Sequence, residues 1–465
     1  MESVQRQAKT RDGVGMIGRV LLGVTVIMAA LAVVWWGTHA GGTEANIKVE
    51  ASATVGPMPT PWRSLAQGGE AIETFLDSNS GSVAALSPRL IRVDHIYDML
   101  ASVNKSGSGL VVDWSKLDKT VEQIRKVGAT PLLSLSYMPP AIARNGIVSP
   151  PSDWNDWAEL VRLTIEHYSG TLSLPGVYYE VWNEPDLFGD WKAGRDPNYF
   201  ELYRYAALGA GGARVNQRFY LGGPATTAPY QSWAEGFLDY VKSNNLRLDF
   251  YSWHRYSSDL NQYEQDLASV DNWFNNHPGF VKVPKIISEF GPSSERSSLN
   301  DSSIAAALEV AVSRLAMARI QYVTAFSIKD ALDPKGQPFW GDWGLLTSDQ
   351  TGAVKKPRYY AIEMLNKLGS ERLSLSGEGS WVKGIAAKKG EAMQILLVNY
   401  DPDGIHMERV PVTISGLTAQ QYEVRLNYLS GQTTKELKVA KNGQIFIEVY
   451  MPSEAVVMVE ATPKM

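Results

Sequence analysis

The middle of the chain, residues 61–368, alternates short apolar runs with longer stretches whose apolar residues recur at helical spacing. The short runs are rich in β-branched and aromatic residues and predict strands, and the longer stretches predict amphipathic helices. The predicted strands are Ser64–Gln67, Leu90–Val93, Pro131–Ser136, Val177–Trp182, Phe219–Gly222, Leu248–Trp253, Lys285–Ser288 and Tyr322–Ile328. The predicted helices include Leu117–Val127, Trp154–Tyr168, Asn198–Gly209, Trp233–Lys242 and Ser303–Arg319. Eight repeats of strand and helix in about 300 residues are typical of a (β/α)8 TIM barrel, an α/β fold.

The rival fold for this pattern is an open, doubly wound parallel sheet. Such a sheet usually carries a glycine-rich phosphate-binding turn after its first strand. The glycine cluster Gly209–Gly212 instead follows a predicted helix, where it indicates a helix stop. We therefore expect the barrel.

Strand-like alternation flanks the barrel on both sides. In residues 369–465, short runs of period 2 alternate with turn signals such as Asp403-Gly404 and Asn442-Gly443, which predicts a C-terminal β-sandwich domain. Residues 41–60 form a linker and a first strand, in which Ile47 and Val49 alternate with Lys48 and Glu50. We expect this strand to pair with the sandwich.

The N-terminal region, residues 1–40, has a different pattern. Residues 20–38 carry no charged side chain and would span about 28 Å as a helix, close to the thickness of a bilayer core. Basic residues precede this segment, which predicts a transmembrane helix with the body on the periplasmic or extracytoplasmic side. Small residues at Thr38 and Ala40 leave the alternative of a cleaved signal peptide and a secreted body. A buried core helix is the third interpretation.

The composition excludes several classes of function. The 465 residues carry 44 Lys plus Arg and 49 Asp plus Glu, a net charge of −5, which argues against a nucleic-acid partner. With no cysteine, the chain has no disulfide, thiolate metal site or cysteine nucleophile. Its six histidines show no metal-binding spacing, so we expect neither metal nor cofactor. The 14 Trp and 21 Tyr suit stacking on flat, uncharged ligands.

Two predicted strands end in a glutamate. Glu184 follows the fourth strand and Glu289 follows the seventh. In a barrel, side chains at the carboxyl ends of strands converge on one mouth, so these two are expected to face each other. Two facing carboxylates are the minimal equipment for cleaving a glycosidic bond. A single glutamate at such a place is more often an ion-pair partner or a helix cap.

The residues around the two glutamates carry a family resemblance. Trp182-Asn183-Glu184-Pro185 and the later Ser288-Glu289-Phe290-Gly291 resemble the clan A glycoside hydrolases. Over about residues 60–465, the chain more narrowly resembles glycoside hydrolase family 39 and the bacterial exopolysaccharide glycosidases of the PslG type. The further segments that carry this likeness are Arg92–His95, Leu135–Pro139, Ser252–Tyr256, Gly344–Leu346 and Lys356–Tyr360.

The resemblance implies roles for individual residues. Glu184 would be the general acid/base and Glu289 the nucleophile of a retaining mechanism. Asn183 would donate to the sugar 2-hydroxyl, a bond that strengthens in the transition state. Arg92 would keep Glu289 ionised through its charge and bidentate hydrogen bonds. The alternative for Arg92 is a salt bridge that seals the barrel bottom.

Two further residues are expected beside the nucleophile. His254 and Tyr256 would orient Glu289 or contact the neighbouring sugar, and a core histidine is the alternative for His254. We expect a similar role for His95. At the mouth, Lys329 would contact the substrate or pair with Asp330.

Aromatic residues around the mouth are the candidates for stacking on sugar rings. Tyr137, Trp340 and Trp343 are expected to bind the substrate, the last two from a glycine-rich loop after the eighth strand. Related xylosidases usually carry a tryptophan on that strand, where this chain has Phe326. This departure favours the exopolysaccharide relatives over the xylosidases.

We therefore expect a retaining, endo-acting glycoside hydrolase that cleaves an extracellular or biofilm polysaccharide. Its partners would be a polysaccharide or oligosaccharide substrate, the membrane through the N-terminal helix, and a polysaccharide synthesis or export complex. The first alternative is an exo-acting, β-xylosidase-like β-glycosidase, which would release single sugars. The second is a non-catalytic module that binds polysaccharide or assists its assembly.

Overall fold

The computed structural model describes residues 42–107 and 109–464, which form a parallel barrel and a large antiparallel sheet domain. The strands are β1 (Ile47–Pro57), β2 (Ser64–Gln67), β3 (Leu90–Val93), β4 (Ser102–Ser106), β5 (Gly109–Asp113), β6 (Thr130–Leu135), β7 (Tyr178–Val181), β8 (Tyr220–Thr226), β9 (Phe250–Tyr256), β10 (Lys285–Gly291), β11 (Tyr322–Phe326), β12 (Glu371–Ser376), β13 (Val382–Lys389), β14 (Ala392–Asn399), β15 (Glu408–Ser415), β16 (Gln421–Tyr428), β17 (Thr433–Val439), β18 (Ile445–Met451) and β19 (Val456–Lys464). The α-helices are α1 (Ser80–Ala85), α2 (Ser115–Lys126), α3 (Trp154–Ile165), α4 (Tyr199–Gly212), α5 (Gln231–Ser243), α6 (Leu260–Asn275), α7 (Ser303–Ala316) and α8 (Pro357–Asn366).

Eight parallel strands close into the predicted barrel, in the order β2-β3-β6-β7-β8-β9-β10-β11 and back to β2. Every neighbouring pair is parallel, as repeated right-handed crossovers require. The helices cover the outside of the barrel and bury their apolar faces against the strands. Polar N-caps begin several of them: Asp153 accepts from a backbone N–H at the start of α3, Asn198 does so at α4 and Asp259 at α6.

The barrel differs from the sequence expectation at three places. β8 runs four residues beyond the predicted end because Gly222-Gly223-Pro224, a turn signal by composition, stays in the ladder with β9. The hairpin β4–β5 was not predicted, since its residues are mostly polar and exposed. The predicted helix ended at Gly209, whereas α4 continues to Gly212. The glycine cluster Gly209–Gly212 is therefore the last turn of α4.

Packing between α3 and α4 explains one of those glycines. A Cβ on Gly209 would lie 2.2 Å from the carbonyl oxygen of Ala158, so only glycine lets the two helix backbones approach so closely. Gly211, on another side of α4, has open space around it. Gly209 is therefore required for the packing of α3 against α4. The local composition alone does not reveal this role.

The C-terminal domain is a nine-stranded sheet in the order β17-β16-β19-β14-β13-β12-β1-β15-β18. Its edge strands β17 and β18 approach each other, so the sheet curls around one apolar core. The curled sheet is the form that the predicted sandwich takes. β1 lies within it, antiparallel to β12 and parallel to β15, although it precedes the barrel in sequence.

The barrel and the sheet domain share a continuous core. Leu396, Val398 and Met458 of the sheet pack into the same apolar cluster as the barrel helices. Beside it, Arg314 of α7 donates from Nε and Nη2 to the two carboxylate oxygens of Glu378, at 2.9 and 2.8 Å. The sheet domain is thus fixed to the outer face of the barrel.

No helix within residues 42–107 and 109–464 is long and apolar enough to cross a bilayer. The predicted transmembrane segment, residues 20–38, lies outside the described residues.

Candidate active site

The fourth barrel strand delivers Asn183 and Glu184 to the barrel mouth through an unusual backbone turn. Trp182 and Glu184 have positive φ angles of 72° and 45°, in the left-handed region that non-glycine residues rarely adopt. The backbone N–H of Glu184 donates to Ala225 O at 3.0 Å, which fixes the turn to the end of β8. Left-handed residues carry a conformational cost of about 1–2 kcal/mol each, so the rest of the fold must hold this turn in place.

Glu184 and Glu289 face each other across the mouth. With His254 they form a cluster in which one potential ligand atom from each residue lies within 4.8 Å of the others. The Glu184 side chain is 13% exposed and that of Glu289 is 6% exposed. Burial raises the pKa of the Glu289 carboxyl, and the positive charges of His254 and Arg92 oppose this rise.

Arg92 lies fully buried behind the two glutamates. Its Nη1 donates to Glu289 Oε1 at 2.6 Å, its Nε to Glu180 Oε2 at 2.7 Å and its Nη2 to Asn183 Oδ1 at 2.7 Å. The expected bidentate bond to Glu289 is therefore wrong, because the other two edges of the guanidinium serve Glu180 and Asn183. Arg92 also does not line the cavity and so does not bind substrate directly.

His254 and Tyr256 approach the glutamates from β9. His254 Nδ1 lies 2.9 Å from Glu184 Oε1 and 3.6 Å from Glu289 Oε2. Burial lowers the pKa of His254, but the Glu289 charge and the hydrogen bond and charge of Glu184 outweigh it, so the pKa is raised. His254 is fully buried and outside the cavity wall, which corrects its predicted contact with substrate. Tyr256 does line the cavity, and its hydroxyl donates to Glu289 Oε2 at 2.6 Å.

Asn183, Tyr137 and His95 form another part of the cavity wall. Because Arg92 can only donate, the oxygen of the Asn183 amide must face it, and Nδ2 is left to donate to Tyr137 Oη at 2.8 Å. The His95 ring stands edge-on to Tyr137 with ring centres 4.7 Å apart, and its Nδ1 lies 2.8 Å from Asp98 Oδ2. These bonds fix the orientation of all three side chains.

The predicted mouth residues divide into two groups. Trp343 lines the cavity, and its Nε1 donates to Ser293 O at 3.0 Å. Trp340 does not line it; the Arg296 guanidinium carbon lies 4.4 Å from the centre of its ring. The prediction that Trp340 stacks on a sugar is thus corrected, because the loop places its ring against Arg296.

The predicted role of Lys329 at the mouth is also corrected. Its Nζ donates to Asp349 Oδ2 at 2.8 Å and to Thr74 O at 2.7 Å, and only 3% of the residue is exposed. Lys329 lies in the cavity wall, but its ammonium is bonded to Thr74 and Asp349 and not to Asp330. Asp330 instead pairs with the buried Lys356, at 2.8 Å.

The cavity over these groups has a volume of about 540 Å3, a size suited to a small ligand. Its wall also includes residues that sequence reasoning did not assign to the site: Gln67, Gly68, Asp94, Leu187, Phe188, Ser294, Glu295, Phe326 and Asp342. Asp94 carried a usable signal, since it directly follows Val93, the last residue of β3, at the mouth. Gln67 and Phe326 are the last residues of β2 and β11, and the others lie in loops whose path local sequence does not specify.

The three-residue cluster is also the group of described residues with metal-ligand geometry. Its atoms are already engaged, since His254 is hydrogen-bonded to Glu184 and Glu289 accepts from Arg92 and Tyr256. The guanidinium next to Glu289 disfavours a second cation there. The arrangement fits a hydrogen-bonded carboxylate pair better than a metal centre.

A parallel barrel with two carboxylates facing each other at the strand ends defines a glycoside hydrolase. The model of the family described as "Glycosyl hydrolases family 39" matches residues 46–403, and the chain belongs to this family. A β-xylosidase of Caldicellulosiruptor saccharolyticus is 25% identical over 355 residues, which cover 69% of this chain and 70% of that protein.

Solved structures show the same fold. A monomeric β-xylosidase from Caulobacter crescentus superposes with a TM-score of 0.73 at 20% identity, covering 90% of this chain and 100% of that one. A family 39 enzyme from Xanthomonas axonopodis pv. citri gives a TM-score of 0.74 at 20% identity, covering 92% and 99%. The predicted family and enzyme class are confirmed.

Proposed function

We propose that the protein is a retaining, exo-acting β-glycosidase with Glu184 as general acid/base and Glu289 as nucleophile. The observation that carries this proposal is the spacing of the two carboxylates, whose nearest potential ligand atoms lie within 4.8 Å. Retaining glycosidases hold their carboxyl groups about 5–5.5 Å apart, whereas inverting enzymes need about 6.5–9.5 Å to admit a water molecule. The spacing therefore favours direct attack on the anomeric carbon.

Hydrogen bonding supports the assignment of the two roles. Glu289 accepts from Arg92 on one oxygen and from Tyr256 on the other, and both bonds stabilise the ionised form that a nucleophile requires. Glu184 is bonded instead to His254 Nδ1, and as the general acid it brings a proton to the first step. Glu184 would give this proton to the departing glycosidic oxygen while Glu289 bonds to the anomeric carbon. In the second step Glu184 takes a proton from water, and the water oxygen displaces Glu289.

Two observations favour exo action over the endo action expected from the sequence. The cavity volume of about 540 Å3 lies within the range of sites that bind a small ligand. The Caldicellulosiruptor and Caulobacter relatives are named β-xylosidases. We therefore place a β-xyloside or a similar neutral β-glycoside first among the substrates, with Phe326 against the bound sugar.

Product analysis of the full chain tests this proposal. The substrates are 4-nitrophenyl β-glycosides, xylo-oligosaccharides and soluble polysaccharides, and the variants are Glu184→Gln, Glu289→Gln and, as a control, the exposed Glu448→Gln. We expect single sugars with retained configuration from the wild type and the control, and a loss of about 1,000-fold or more in both site variants. Inverted product, or full activity in Glu289→Gln, would contradict the mechanism. Mid-chain products from a polysaccharide would show endo action and contradict exo action.

Azide separates the two carboxylate roles. Added to Glu289→Ala, azide should restore turnover and give a glycosyl azide of inverted configuration. Added to Glu184→Ala with an activated substrate, it should give an azide of retained configuration. The opposite pairing would exchange the assigned roles.

We also infer from the sequence that the catalytic body is exported, because an uncharged segment at residues 20–38 follows basic residues. A reporter that is active only outside the cytoplasm, fused after residue 45, should be active with this segment and inactive without it. Retention in carbonate-washed membranes would support an anchor, and a soluble chain shortened near residue 40 would support a signal peptide. An inactive reporter in both fusions would contradict export.

A further inference from the structure

Asp94 is a carboxylate in the cavity wall that the proposed mechanism does not use. It follows β3, next to His95, and only 4% of the residue is exposed. The backbone of Gly68 lies against it: a Cβ on Gly68 would come 3.4 Å from Asp94 Oδ2 and 2.9 Å from the Phe326 ring. Asp94 and Phe326 thus border the same small space, which the glycine keeps open.

The hydrogen-bonding capacity of Asp94 is unused among the described residues. Its Oδ1 is buried with no hydrogen-bond partner in that part of the chain. Its Oδ2 lies 3.8 Å from Arg92 Nη1, too far for a hydrogen bond, and that nitrogen already donates to Glu289. Other acidic residues nearby each accept at least one hydrogen bond: Glu180 Oε2 accepts from Arg92, and Asp330 Oδ1 accepts from Lys356 and from the backbone N–H of Gly344.

A buried, ionised carboxylate without donors is unfavourable, so burial raises the pKa of the Asp94 carboxyl, and a ligand that supplies donors would stabilise the ionised form. The donors that enter a glycosidase cavity are the hydroxyl groups of the sugar. A carboxylate oxygen accepts hydrogen bonds from hydroxyl groups. Asp94 therefore has the chemistry to recognise a hydroxyl group on the sugar that occupies the cavity.

The charges of the wall restrict this sugar further. Glu184, Glu289, Glu295 and Asp94 all line the cavity, whereas the ammonium of Lys329 is turned onto Asp349. A uronic acid would bring a further negative charge against these groups, and the two basic residues of the wall, His95 and Lys329, are already bonded to Asp98 and Asp349. A neutral sugar avoids this repulsion.

We propose that Asp94 determines substrate specificity: its carboxylate accepts hydrogen bonds from hydroxyl groups of a neutral sugar in the cavity and excludes uronic acids. This inference rests on the proposed function, because it requires that the cavity bind the sugar to be cleaved.

A double-mutant cycle between protein and substrate tests the contact. The enzymes are the full-chain wild type, Asp94→Ala and Asp94→Asn, and the probes are 4-nitrophenyl β-D-xyloside with its 3-deoxy and 4-deoxy analogues. We expect Asp94→Ala to lower kcat/KM on the parent xyloside by about 10- to 100-fold, the effect of a hydrogen bond to a charged group. At least one deoxy analogue should lose a similar factor with the wild type but less than about threefold with Asp94→Ala. Equal losses in both enzymes for every analogue would overturn the contact.

Charge selectivity provides the second readout. The wild type should hydrolyse 4-nitrophenyl β-D-glucuronide at least about 100-fold more slowly than the xyloside, and Asp94→Asn should narrow that ratio. A wild type that prefers the glucuronide would overturn the neutral-sugar assignment. Asp401→Asn, at a buried carboxylate of the sheet domain, is the matched control and should leave both ratios unchanged.

Labelling distinguishes failure of this inference from failure of the proposed function. A 2-deoxy-2-fluoro-β-xylosyl fluoride should trap a covalent adduct on Glu289 in the wild type and, more slowly, in Asp94→Asn. If Glu289 is labelled but the deoxy series shows no coupling, only the role of Asp94 is wrong. If no glycoside is cleaved and Glu289 is not labelled, the proposed function fails and this inference fails with it.

Discussion

Replacing Tyr256 by phenylalanine removes one hydroxyl from the site and changes little else. That hydroxyl donates to Glu289 Oε2 at 2.6 Å, while Arg92 Nη1 serves the other oxygen at the same distance. A hydrogen bond to a charged group contributes about 1.5–3 kcal/mol, and one pKa unit corresponds to about 1.4 kcal/mol. The pKa of Glu289 should therefore rise by about 1–2 units in the variant.

The sign of this shift sets the expected pH dependence. The lost donor stabilised the ionised carboxylate, so the protonated form gains in the variant, and more enzyme is inactive on the acidic side. The acidic limb of the kcat/KM profile should move to higher pH by about 1–2 units. The loss of activity should thus be about 10- to 100-fold at low pH and should narrow as the pH rises above the new pKa.

The assay is kcat/KM for an aryl β-glycoside between pH 4 and pH 9. Tyr359→Phe is the matched control, because the Tyr359 hydroxyl donates to Ser82 O at 2.8 Å outside the cavity. This control should leave the acidic limb in place. A Tyr256→Phe profile that is lowered by the same factor at every pH would refute the reasoning, since the hydroxyl would then act by a route other than the ionisation of Glu289.

Three further predictions follow from the fold and the cavity wall. Trp343→Ala should raise KM by about 10-fold, since its ring lines the cavity, whereas Trp340→Ala should change kcat/KM by less than about twofold. Gly209→Ala should lower the free energy of unfolding by about 1–3 kcal/mol through the clash with Ala158, whereas Gly211→Ala should raise it by about 0.5–1 kcal/mol. Denaturant unfolding measures both changes, and equal effects of the two variants would contradict the packing argument. Arg314→Ala should lower the free energy of unfolding by about 1 kcal/mol, because its bond to Glu378 is partly exposed, and an unchanged thermal midpoint would show that this pair adds nothing.

The barrel was predictable because its signal is local and repeated. Each strand is a short apolar run, and eight such runs separated by amphipathic helices leave few other folds. The limits appear where a residue's role depends on a distant neighbour. Gly222-Gly223-Pro224 resembles a turn until β7 and β9 lie on either side of it. Gly209 resembles a helix stop until the backbone of Ala158 is known to lie against it.

The site shows the same division. The two glutamates were found because each lies near the carboxyl end of a strand, and these strand ends meet at one mouth whatever the path of the loops. The partners of Lys329 were not predicted, because Thr74 and Asp349 reach it from separate loops. Trp340 and Trp343 are only three residues apart, and the local sequence does not specify which ring turns to the cavity. Side chains on strands are thus far easier to place than side chains on loops.

The charge balance around Arg92 connects the buried network to the chemistry. Four carboxylates lie within ion-pair distance of the Arg92 guanidinium or the His254 imidazole: those of Asp94, Glu180, Glu184 and Glu289. Even with the imidazole protonated, acidic groups outnumber basic ones. Burial raises the pKa of both Asp94 and Glu289, and repulsion adds to it, from Asp98 at Asp94 and from Glu184 and Asp94 at Glu289. The same excess stabilises the positive charge that develops on the sugar as the glycosidic bond breaks, so the repulsion present in the empty site is relieved in the transition state.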